Sequence, residues 1–135
     1  MIEIFYKQDG QIMVSQSETD LSNIAYSDVV WIDLYVPSGE EKRTVEQFLG
    51  TTIQNRAQAE EIEISSRFYE TEKAIFANTS FLIPGPDEYN EETVSFILTD
   101  EILTTLRECP LKSFTDLQRR MLAFPKMYDS GHVAF

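Results

Sequence analysis

With 135 residues, the chain is the size of one domain and long enough for a single core of two or three layers. Its 23 Asp and Glu against 11 Lys and Arg leave a net charge of −12. Such a surface repels nucleic-acid phosphates and anionic lipid and attracts cations, so nucleic acid is excluded as a partner.

One cysteine, Cys109, rules out an internal disulfide framework and fits a reducing compartment. No charged-then-apolar leader opens the sequence. The longest apolar runs, 29–36 and 74–83, fall well short of the ~20 residues a membrane helix needs. The chain as it stands is expected to be soluble.

In chain order, residues 1–6 (MIEIFY) and 11–14 read as strands joined by the turn Gln8-Asp9-Gly10, an N-terminal hairpin. Residues 15–27 are polar with a short apolar insert, a loop carrying one helical turn. Residues 28–35 (DVVWIDLY) are β-branched and aromatic, a well-buried strand that places Trp31 in the core. Ser38 then caps a helix, with Glu41 completing a capping box. Val45, Phe48 and Leu49 form its apolar stripe, and Gly50 is its stop. A second short helix is expected from Asn55, with Gln58 as box partner, running through Glu60, Glu61 and Glu63 to the corner Ser65-Ser66-Arg67. Residues 68–70 and 74–83 read as two strands. The whole stretch 56–83 thus reads as an acidic switch element mounted on the centre of a sheet. Residues 84–90 (PGPDEYN) have turn chemistry throughout and predict an exposed loop. Residues 92–98 and 102–107 complete a meander through the turn Thr99-Asp100-Glu101. Ser113 is expected to cap a last helix with Asp116 as its partner. Phe114, Leu117, Met121 and Phe124 line one face of that helix, and Pro125 ends it.

The tally is six or seven strands in a mixed, mostly antiparallel sheet covered by helices, an α/β (mixed α+β) domain. Catalysis finds little support. The lone histidine, His132, lies in the tail, so no Ser-His or Cys-His arrangement forms, and no phosphate-cradling or zinc motif is present. Glutamates are too abundant for any pair to stand out as acid and base. No enzyme is expected.

Glu60, Glu61 and Glu63 repay closer reading. At about 100° per residue Glu60 and Glu63 share a helix face while Glu61 points away, so the three cannot converge on one ion. They can offer differently directed ligands to groups on other elements or subunits. Magnesium suits that arrangement, because it keeps most of its waters and takes one or two carboxylates. The plain alternative is an exposed acidic helix end.

The segments VWIDLYVPSGEEKRTVEQFLG, AEEIEISSRFYE, TSFL and VSFILTDEILTTLRE, in this order and spacing, resemble the cytoplasmic N-terminal domain of the CorA family of magnesium transporters. The likeness runs from about Val30 to about Arg120. It implies an α/β/α sandwich that feeds a stalk helix and two membrane helices in a homopentameric channel on the cytoplasmic side of the bacterial inner membrane. Magnesium between neighbouring domains would hold that pore closed, with Glu60 and Glu61 as metal ligands completed by the neighbour's stalk. Binding would be weak in the isolated domain. Many relatives have Glu-Asp where this sequence has Glu60-Glu61.

The transported ion implied is magnesium, with cobalt as a further cargo. The stalk, the membrane segments and the pore signature Gly-Met-Asn are absent, and the abrupt apolar ending GHVAF suggests a chain cut before the stalk. On this reading residues 1–135 are one regulatory domain. Its partners are its own missing segments and further copies of itself, and the fragment touches no membrane. The other reading is a free-standing acidic adaptor that binds protein through its sheet edges or its PGPDEY loop.

Overall fold

The computed structural model describes residues 1–53, 68–70, 74–84, 86 and 89–125. Strand β1 (Ile2–Gln8) turns through Asp9-Gly10 into β2 (Gln11–Ser15). Both turn residues have positive φ, 53° and 78°, the backbone twist that a two-residue hairpin requires and that Asp-Gly tolerates. The predicted helical turn in 15–27 becomes two short 3-10 turns, Glu18–Ser22 and Tyr26–Asp28. Strand β3 (Val29–Tyr35) leads into helix α1 (Gly39–Leu49). The capping box is present as the sequence predicts: Ser38 Oγ accepts from the Glu41 amide, and Glu41 Oε1 accepts from the Ser38 amide. Gly50 ends the helix in the left-handed conformation at φ 73°. Then follow β4 (Phe68–Glu70), β5 (Ala74–Pro84), β6 (Tyr89–Thr99), β7 (Ile102–Arg107) and helix α2 (Lys112–Ala123).

The strands form one seven-stranded sheet in the order β2-β1-β3-β7-β6-β5-β4. Every neighbouring pair is antiparallel except β3–β7, which runs parallel from Trp31↔Leu103 to Tyr35↔Arg107. Two antiparallel units, one from each half of the chain, thus meet at a single parallel seam.

Alternation along the strands splits the core in two. Ile2, Ile4, Ile32, Leu34, Ile97 and Ile102 pack with Val45 and Leu49 of α1. Phe5, Trp31, Val94, Leu98 and Leu103 pack with Phe114 and Met121 of α2. A helix on each face of the sheet gives the expected α/β/α layering. A bulge lets β3 serve both faces: Phe5 pairs with Trp31 and Tyr6 with Val29, leaving Val30 as the extra residue. Val30 and Trp31 consequently both join the α2 side, while Val29 and Ile32 join the α1 side.

The sequence reading departs from the structure in four further places. The hairpin β4–β5 lies at one edge of the sheet, not at its centre, because β7 and not β5 pairs with β3. Pro84, Tyr89 and Asn90 belong to the β5–β6 ladder, which extends to Pro84↔Tyr89 and shortens the predicted loop. Helix α2 starts earlier than its polar signal: Leu111 stands at the N-cap with no side-chain cap, and Ser113 lies within the first turn. Leu111 is buried against the α2-side core, so its burial sets where the chain enters the helix. Finally, Phe124 is 58% exposed, since the helix ends at Ala123 and Phe124 no longer follows its stripe. The residue before a proline is pushed out of the helical region, and Pro125 does this to Phe124.

Candidate functional site

Glu60 and Glu61, the predicted metal ligands, lie outside the described residues, as do Glu63 and the Ser65-Ser66-Arg67 corner. Among the described residues, no group of three or more His, Cys, Asp or Glu side chains is placed to hold a metal ion.

The described residues do contain a polar centre that sequence reasoning missed, built where the parallel seam ends. Asp33 of β3 faces Thr105 of β7, and Arg107 lies one alternation further along the same face. The guanidinium grips the carboxylate with two nitrogens: Nη2 donates to Oδ2 at 2.9 Å and Nε to Oδ1 at 3.2 Å. Its third nitrogen, Nη1, donates to the Cys109 carbonyl at 2.8 Å, just before α2 begins. Thr105 Oγ1 donates to Asp33 Oδ1 at 2.8 Å and accepts from Trp31 Nε1 at 2.9 Å. The guanidinium also lies over the rings of Tyr35 and Phe114, 4.7 Å and 5.2 Å from their centroids. Asp33 and Arg107 are both buried. A buried pair of this kind holds because each charge is forked, hydrogen-bonded and stacked. The available signal was a lone Asp and a lone Arg set into two strands that otherwise read as core.

A third charged group sits beside the pair. Glu3 of β1 is directly opposite Asp33 in the ladder. Partial burial raises its pKa, the Asp33 charge raises it further, and Arg107 opposes both. At the same end of the sheet, the Met1 ammonium donates to the Tyr35 carbonyl at 2.8 Å and pairs with Glu41 Oε1 at 3.2 Å. Burial disfavours the charge on Glu41, but the Ser38 amide and the Met1 ammonium outweigh it and hold the carboxyl below the usual glutamate value. On the other side of the fold, Tyr26 donates to Asp100 Oδ2 at 2.8 Å. Burial first, and then that bond, push its phenol up to about 12.

No family model matches the chain. Individual proteins do. The chain is 32% identical to the magnesium transport protein CorA of Wolinella succinogenes, over 98% of its own length and 43% of that protein. This chain is a homologue of the CorA magnesium transport proteins. A second such relative, the CorA protein of Salmonella typhimurium, is 35% identical over 84% of this chain and 35% of its own. The CorA homologue therefore spans less than half the length of the curated relatives it matches. Its fold is also that of the soluble domain of CorA from Methanocaldococcus jannaschii, with a TM-score of 0.58 over 90% of this chain and 46% of that one, at 15% identity. The expected resemblance and the expected sandwich both hold. Among the described residues of the CorA homologue, no helix is long and apolar enough to cross a membrane. The relatives are named as transport proteins and not as enzymes.

Proposed function

We propose that this chain is the cytoplasmic regulatory domain of a magnesium transporter, and that magnesium bound to it biases the whole assembly toward a closed state. The observation that carries the reading is the 32% identity to a CorA protein along 98% of the chain. The charge of −12 supports it. Acidic domains packed into a ring repel one another, and a dication held where two of them meet relieves that repulsion. Because the ion binds the closed arrangement better, its concentration sets the population of that arrangement. Glu60 and Glu61 are the proposed ligands, completed by segments beyond this chain, so the isolated domain binds magnesium weakly. The assembly is a homopentamer on the cytoplasmic side of the membrane, with cobalt as a second cargo.

The test uses the complete transporter with Glu60 and Glu61 both changed to lysine. Magnesium uptake is followed while internal magnesium is varied. Uptake that no longer falls as internal magnesium rises supports the reading. An unchanged magnesium response removes Glu60 and Glu61 from the mechanism. The same changes in the 135-residue chain should alter stability by no more than about 0.5 kcal/mol, because the proposed ligands act with segments beyond this chain.

A further inference from the structure

We propose that Glu3 is a proton-binding group of the native sheet, and that its protonation consolidates the buried Asp33–Arg107 pair. The geometry is that of two carboxylates competing for one cation. Glu3 and Asp33 are cross-strand partners, a relation that brings side chains within about 5 Å and penalises like charges. The guanidinium is already committed: Nε and Nη2 to Asp33, Nη1 to the Cys109 carbonyl. Among the described residues the Glu3 carboxylate accepts no hydrogen bond from it. Neutralising one acid relieves the clash. Asp33 is the worse candidate, because its oxygens already accept from Thr105 and Arg107 and its side chain is 1% exposed. Glu3 is half-buried and can exchange a proton with solvent.

The surrounding charges agree. From β3 the facing carboxylate is Asp33, with the phenol of Tyr35 further along the same face; from β7 it is Arg107. Strand β2 ends at Ser15, opposite Ile4, and the following Gln16 is uncharged. Helix α2 packs on the same face and carries Lys112, Asp116, Arg119 and Arg120, but the charges that shift Glu3 are those of Asp33 and Arg107. Burial and Asp33 raise its proton affinity, and Arg107 only partly offsets them. A carboxyl with a raised native pKa binds more protons in the folded than in the unfolded chain within that window. Stability therefore increases as pH falls through it and decreases as pH rises. This is the reverse of the usual behaviour of paired carboxylates.

The experiment follows the side-chain carboxyl of Glu3 by NMR in the 135-residue chain as pH is lowered. It is combined with thermal unfolding of the chain and of its Glu3→Gln variant, which mimics the protonated acid. A Glu3 midpoint above that of an ordinary glutamate is expected. So is a variant whose Tm exceeds the parent's by about 2–4 °C at neutral pH, with the gap closing in mild acid. Trp31, the chain's one tryptophan, reports the same event through its bond to Thr105: its emission should shift with the Glu3 midpoint. A Glu3 carboxyl that titrates at or below the ordinary value overturns the proposal, whatever the variant does. A raised midpoint with a variant no more stable than the parent at neutral pH overturns the claimed consolidation of the pair.

Discussion

Asp33 and Arg107 are 74 positions apart in the sequence and 2.9 Å apart in the fold, and parting them has unequal consequences. Removing both charges in favour of well-packed apolar side chains can be nearly neutral, because neither ion then has to leave water. Removing one strands the other. Arg107→Ala leaves a buried carboxylate with Thr105 as its remaining donor among the described residues, and also removes the guanidinium bond to the Cys109 carbonyl. The expected loss is about 3–5 kcal/mol in urea unfolding. Arg107→Lys should recover only part of it, since an ammonium cannot fork across Asp33 while also reaching Cys109 and stacking on Tyr35. Equal stability of parent and Arg107→Ala would mean that the pair contributes nothing to the native state.

At the scale of elements, the two helices show how local chemistry and packing divide the work. Helix α1 is held by its own ends. Ser38→Ala should cost about 1 kcal/mol through the lost cap. Gly50→Ala should cost a similar amount, about 1 kcal/mol, from forcing a Cβ into positive φ where nothing crowds it. Denaturant midpoints of the two variants check both, and a double variant should show near-additive losses because the ends do not touch.

Helix α2 has no side-chain cap, and its start is set by the buried Leu111. This explains what could be read in advance. The hairpin β1–β2, the limits of α1 and the meander are written in neighbouring residues: Asp9-Gly10, Ser38 with Glu41, and the Asp100 turn at φ 51°. The start of α2 and the edge position of β4–β5 depend on partners far along the chain, and sequence pattern misplaced them; the extension of the β5–β6 ladder to Pro84↔Tyr89 is local, but the turn chemistry of 84–90 hid it. The polar centre was legible only in halves. Asp33 and Arg107 each stand out within apolar strands, but their pairing depends on the β3–β7 seam, which no local signal announces. Glu60 and Glu61, chosen from pattern and resemblance, lie outside the described residues.

At the scale of the whole molecule, the described residues form two antiparallel units stitched by one parallel seam, with a helix on each face. Strands β1–β3 come from residues 2–35 and strands β4–β7 from residues 68–107, so each unit is assembled from near neighbours. Among the described strands, the seam is the one pairing that joins the two halves of the chain. Closing so long a loop is entropically costly, whereas hairpins close quickly. The seam, with its Asp33–Arg107 clasp, should therefore form after the rate-limiting barrier to folding has been crossed. Arg107→Ala would then leave the refolding rate nearly unchanged and put almost all of its effect into faster unfolding. Chevron plots of parent and variant decide this. A refolding limb slowed in proportion to the lost stability would place the seam in the folding nucleus. In the expected case the clasp governs how long the native domain lasts once made, not how fast it is reached.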